Sequence, residues 1–370
     1  MSTGRLIVLF FLIGFHEGQA QELEEASGLE SQVPRVEEAE ALASLPAWLR
    51  WRGYGSLDYG AGKTTQQSSL QERGPHGEIA LAVDITAAPS LSFFLEQRTQ
   101  AEGQARSLER VHVFWEQGGL RYRPLDSVLF VLGKERNRRA PGLIVSPSDF
   151  IHSNQNLPGL REERSGVWLA RAAFQGSHQS FDLMALPATL ENEQGMIAEG
   201  STYKGTVARY FGRLESGWDL GVDYGDFQDF SQAGLFVQTM LAEVWKVYAE
   251  GGYHSQDNTY NTLLGGSYEG SSDWNLRLEW YQQGEHWRPT LVLLQDQNYL
   301  ILSVTAIELW DSLNLTPTLL QSLEAQNHQA GIFRAEWLMN QRQVAGLTFL
   351  SFNSEKSSAW QLNLDWKFNF

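Results

Sequence analysis

The chain of 370 residues contains no cysteine. Disulfide frameworks, thiolate metal sites and cysteine nucleophiles are thereby excluded. Positive charge is scarce too: 28 Lys and Arg stand against 44 Asp and Glu, a formal net charge of −16. A nucleic-acid partner, which needs a basic face to neutralise phosphates, is not expected. Long apolar runs are also missing. After the amino-terminal region no stretch approaches the ~20 uninterrupted apolar residues of a membrane helix, so a membrane role would require strands closed into a barrel. The histidines at 16, 76, 112, 178, 254, 286 and 328 have no ligand spacing. Neither a metal site nor a cofactor is expected, and no glycine-rich phosphate loop leads into a helix.

What is present begins with a secretory pattern. Arg5 precedes an apolar run from Leu6 to Phe15, followed by Gly18, Gln19 and Ala20. The run is too short to span a bilayer and ends on small residues, so residues 1–20 read as a signal peptide cleaved after Ala20. Residues 21–46 follow as an acidic lead-in to be placed in the periplasm. They hold Glu22, Glu24, Glu25, Glu30, Glu37, Glu38 and Glu40 against Arg35 alone. Such a segment is solvated and too short to fold into a plug domain.

From Trp48 the chain alternates. Ile79, Leu81, Val83 and Ile85 are interleaved with Ala80, Ala82 and Asp84. Trp218, Leu220, Val222 and Tyr224 alternate with Asp219, Gly221 and Asp223, and Trp274, Leu276, Leu278 and Trp280 with Asn275, Arg277, Glu279 and Tyr281. Period-two patterning gives each strand one apolar and one polar face, and aromatics at both ends of a strand mark the borders of a lipid-facing band. The strands expected are 47–59, 78–87, 90–98, 108–117, 127–136, 165–174, 179–187, 202–212, 216–225, 232–241, 243–253, 259–269, 273–283, 298–306, 310–321, 329–338, 343–352 and 358–370. Boundaries near Arg123, Leu241 and Leu309 are weak, so the fold expected is all-β, a transmembrane antiparallel β-barrel of about 16–18 strands over residues 47–370. Tight polar turns at Pro89, Gly176, Glu215, Ser271 and Gln341 should alternate with longer connections around Gly62, Gln104, Asn154, Gly195 and Gln295.

The last stretch, Trp360 to Phe370, puts large apolar residues at every even position and ends on Trp366, Phe368 and Phe370. It resembles the carboxy-terminal assembly signal of Gram-negative outer-membrane barrels. A second passage is similar to one in porin-like barrels: Gly133 and Lys134 at a strand end, Gly142 in a turn, then Pro147, Ser148, Asp149 and Phe150. The resemblance implies a cell outer-membrane location, outer-membrane lipid, lipopolysaccharide and the barrel assembly machinery as partners, and small hydrophilic solutes as cargo. Homo-oligomers are compatible with it.

By the same resemblance, the longest connection, 137–164, folds into the lumen as a constriction. The residues expected to line it are Lys134, Arg136, Arg138, Arg139, Asp149, Arg161, Arg164 and Arg171. Rings of Arg and Lys in a narrow pore favour anions, so a porin-like channel passing small hydrophilic, anionic solutes is the leading expectation. By parity Glu135 should point away from Lys134 and Arg136. The same arginines could instead bind lipopolysaccharide phosphates or pair with neighbouring glutamates. His152, Ser153 and Asn154 invite comparison with lipid-modifying outer-membrane enzymes. Three adjacent loop residues do not line up as nucleophile, base and orienter, so no catalytic residue is assigned. A closed structural or polymer-export barrel is the remaining alternative.

Overall fold

Each apolar–polar alternation described above becomes a strand. The computed structural model describes residues 48–64, 71–104, 107–136, 141–142, 145–149, 166–187, 204–256, 258–270, 273–284, 296–309, 312–324, 328–340, 343–353 and 358–369. Six strands form the first third: β1 (Leu49–Thr64), β2 (Gln71–Ala88), β3 (Leu91–Gln104), β4 (Ser107–Leu125), β5 (Val128–Glu135) and β6 (Val167–Gln175). The second third holds β7 (Gln179–Leu186), β8 (Gly205–Arg213), β9 (Trp218–Phe227), β10 (Ser231–Leu241), β11 (Trp245–His254) and β12 (Thr259–Tyr268). The last comprises β13 (Trp274–Gln282), β14 (Asn298–Leu309), β15 (Leu313–Ser322), β16 (Gln329–Asn340), β17 (Gln343–Asn353) and β18 (Ser358–Asn369). Among the described residues the count is eighteen, the upper end of the expected range.

Every strand pairs antiparallel with its sequence neighbours, and β1 pairs with β18 from Tyr54↔Asn369 to Thr64↔Ala359. The sheet is therefore closed. Closure removes the free edges whose unpaired N–H and C=O groups hydrocarbon cannot satisfy. At this seam the Phe368 ring fills the space that a Cβ on Gly55 would occupy, and the two residues are register partners. A glycine here lets the closing strand lay an aromatic flat across its neighbour.

The two faces follow the sequence parity. Ile79, Leu81, Phe93, Leu132, Val222, Leu278 and Leu364 are exposed on the outer wall, while Glu78, Ala80, Asp223, Arg277 and Glu279 are buried on the inner one. An outer wall of such apolar side chains suits a hydrocarbon surround, where burial from water is favourable.

One connection expected to be long is short and another is displaced. Gly62 lies inside β1, with residues 65–70 between β1 and β2, while β3 and β4 continue to the pair Gln104↔Ser107, leaving only residues 105–106 between them. The reason is physical: apolar alternation stops where the wall leaves hydrocarbon, but backbone hydrogen bonding does not require apolar side chains. Polar residues therefore extend the ladder beyond the greasy band. The connection between β5 and β6 remains a long one, as expected, and with odd strands rising from the short turns it lies at the long-loop end.

Candidate functional site

The β5–β6 connection is held at both its ends by the wall it leaves. Arg136, just past β5, pairs with Glu116 and, at 3.5 Å, with Glu96, and its N–H donates to Gln117 Oε1 at 3.2 Å. At the return, Gly166 N–H donates to the Glu116 carbonyl at 2.8 Å. One short stretch of β4 thus fixes both feet of the loop.

Its middle is fastened elsewhere. Glu250, buried on the inner face of β11, accepts hydrogen bonds from Gly142 N–H at 2.6 Å, Ser146 Oγ at 2.5 Å and Ser148 Oγ at 2.9 Å. A buried carboxylate without donors would be costly, and here three donors replace its water. Close by, Asp149 takes a 2.9 Å ion pair from Arg209 on β8, whose Nε lies 2.8 Å from Asp223 on β9. The loop backbone can lie this close because β10 and β11 present glycines. A Cβ at Gly234 would strike the Ser148 carbonyl, and one at Gly252 the Pro147 carbonyl. The described loop residues 141–142 and 145–149 therefore lie inside the barrel, against the inner wall of β8–β11.

No family model matches the chain, and no curated protein matches it. Solved structures do match in shape. OccAB4 of Acinetobacter baumannii superposes with a TM-score of 0.63 at 10% identity, over 87% of this chain and 98% of its own. OpdL of Pseudomonas aeruginosa gives 0.61 at 10% identity over 88% and 99%. OpdK of the same organism, crystallised with vanillate, gives 0.62 at 9% identity over 86% and 99%. The chain has the fold of these outer-membrane barrels.

Within this barrel the residues expected at the constriction divide. Arg121 and Arg123, the basic residues that precede them in sequence, lie at the short-turn end of β4, far along the strand from Arg136 at the loop end. Arg171 is buried on β6 between Glu135 at 3.0 Å and Asp182 at 3.4 Å. Arg136 and Arg171 thus each meet two carboxylates. Lys134 requires correction: it stands on the outward parity of β5, with its Nζ donating to the Trp115 carbonyl at 2.7 Å. Glu135 is corrected with it, since it faces inward to Arg171. The sequence argument assigned the inward face to the cations, whereas β5 alternates inward through Leu129, Val131, Gly133 and Glu135. Asp149 is inside, as described. Arg138, Arg139, Arg161 and Arg164, with His152, Ser153 and Asn154, lie outside the described residues. Of the assembly residues, Trp366 is exposed on the outer wall, Phe368 lies on the seam, and Phe370 is outside the described residues.

Asp182, Arg209 and Asp223 are direct register neighbours across β7, β8 and β9, so a row of alternating charge is written into the sheet. Further round, Arg98 on β3 lies 2.6 Å from Glu116 and 3.4 Å from Glu78. A buried cation in such a row is held by partners on both sides, and removing one member leaves the others uncompensated.

The anchors Glu250 and Arg209 escaped the sequence reading, as did an apolar patch on the inner wall. Tyr248, Leu263, Tyr281, Tyr299, Ile301 and Leu320 pack together on the lumen side, with Val145 of the loop against them. A signal existed: Tyr299, Leu300, Ile301 and Leu302 form an unbroken apolar run, which marks a strand covered on both faces. One face belongs to the apolar outer wall, and against the other packs Val145 of the loop.

Proposed function

We propose that this chain is a porin-like channel of the cell outer membrane, through which small hydrophilic solutes diffuse. The observation that carries the reading is the set of loop residues Gly142, Ser146, Ser148 and Asp149, fastened inside a closed barrel by Glu250 and Arg209. A polar lumen crossed by a fixed loop restricts by size and charge and needs no reacting group, so the activity is transport and not catalysis. Residues 1–20 act as the export signal, 21–46 as a periplasmic lead-in and 47–370 as the barrel. Trp366, Phe368 and Phe370 address it to the assembly machinery, and lipid and lipopolysaccharide surround it.

Charge selection in this reading rests on Arg138, Arg139, Arg161 and Arg164 of the loop, because Arg136 and Arg171 are each matched by carboxylates. Reversal potentials in a salt gradient test both parts. Discrete conductance steps with an anion preference that weakens from 0.1 M to 1 M salt, as the screening length falls from about 10 Å to about 3 Å, are expected. Conductance with cation preference would overturn the charge assignment alone. The buried apolar patch around Val145 favours a second reading, a barrel closed at the loop. Absence of any conductance in wild type, with conductance appearing when 137–164 is shortened, would select it.

A further inference from the structure

The short-turn mouth of the barrel carries an inward-facing basic arc that the transport reading does not use. Arg50 and Arg52 open β1, Arg121 and Arg123 close β4, and Lys367 lies near the end of β18. Register fixes the direction of four of them. Arg50 pairs with Asp84 and Arg52 with Ala82, both on the parity of buried Ala80 and Glu78; Arg121 pairs with Ser92, two residues from buried Phe94. Lys367 pairs with Ser56, which in turn pairs with Glu78. Arg50, Arg52 and Arg123 are exposed there. The facing carboxylates are Asp84, 3.7 Å from Arg121, Asp126 in the adjoining turn, and Glu336, 3.7 Å from Lys367. Five cations on β18, β1 and β4 thus line one arc of the rim in a protein whose charge is otherwise strongly acidic.

We propose that this arc is the docking site of the chain's own acidic lead-in, residues 21–46. Charge complementarity is the first argument: the segment carries seven glutamates against one arginine. Connectivity is the second. The segment runs directly into β1, so its glutamates are delivered to the mouth where Arg50 and Arg52 begin the wall. Glu40 precedes Arg50 by ten residues, a reach of about 33–36 Å when extended, and Glu37 and Glu38 reach slightly further. Tethering holds the glutamates near the arc at an effective concentration in the millimolar range, so individually weak surface pairs act together. Docked there, the lead-in offsets the positive field at that mouth.

The absence of native cysteine makes the test clean. Two double variants, Glu38→Cys with Arg123→Cys and Glu38→Cys with Lys246→Cys, are oxidised mildly in outer-membrane fractions, and disulfides are read by mobility without reductant. Lys246 sits at the same mouth on β11, away from the arc. The proposal expects intramolecular cross-linking to Arg123→Cys several-fold above that to Lys246→Cys at 0.1 M salt, with the advantage lost at 1 M, where screening shortens to about 3 Å. In a second experiment, Glu37→Lys with Glu40→Lys, outside the barrel, should shift the reversal potential towards anions. Equal cross-linking at both positions, cross-links to a second copy or to another protein, or an unchanged advantage at 1 M salt would overturn it. The cross-linking readout needs no conductance, so a barrel that fails to conduct would sink the channel reading and leave this one standing.

Discussion

Ser146 Oγ lies 2.5 Å from Glu250 Oε2, joining residues separated by 104 positions in sequence. That contact fixes where the loop sits across the lumen. Each hydrogen bond to the carboxylate contributes about 1.5–3 kcal/mol, and the three share one acceptor group. Glu250→Ala should therefore release the loop. The expected result is a larger and noisier single-channel conductance, together with faster proteolysis between residues 137 and 164. Glu250→Gln, which retains one acceptor oxygen, should lie between. Wild-type conductance and protection in Glu250→Ala would remove Glu250 as the anchor.

Arg209 is expected to be the most damaging single loss on the inner wall. Arg209→Gln leaves Asp149, Asp182 and Asp223 crowded without their guanidinium. Breaking a buried pair in this way costs about 3–5 kcal/mol. The heat-modifiability midpoint should fall sharply, and Arg209→Gln combined with Asp223→Asn should recover part of the loss. Additive damage in the double variant would show that the two residues do not form one unit.

Leu278 and Asn275 lie three residues apart on opposite faces of β13. Leu278→Arg places a charge in hydrocarbon at about 2–4 kcal/mol, whereas Asn275→Arg enters the lumen. Folded yield in detergent or lipid should drop for the first and stay near wild type for the second. Equal loss would mean that the outer face of this strand has been misassigned.

The seam offers a further test. Gly55→Ile would drive a side chain into the Phe368 ring, so assembly should slow and the folded barrel should unfold at lower temperature. Adding Phe368→Ala to Gly55→Ile should relieve the clash. Separately, Phe370→Ser should lower insertion while export continues, measured as periplasmic accumulation of unfolded chain. Normal heat-modifiable barrel in that variant would detach Phe370 from assembly.

Parity along strands such as β9 and β13 was determined by the sequence alone. Trp274, Leu276, Leu278 and Trp280 face outward on β13, and Asp219, Gly221 and Asp223 face inward on β9, as the alternation requires. Lipid imposes a local rule on every second residue, so a local reading recovers it. Strand ends were less legible, because β1 to β4 outrun their apolar residues on backbone pairing alone. The anchors were decided only by tertiary structure. Glu250 and Arg209 resemble any other inward polar residue until Gly142, Ser146, Ser148 and Asp149 are folded against them, and Glu135 and Lys134 exchange faces once β5 is in register with Arg171 on β6. Their partners lie across the lumen or on the next strand, and a period of two along one strand carries no information about what approaches it from another.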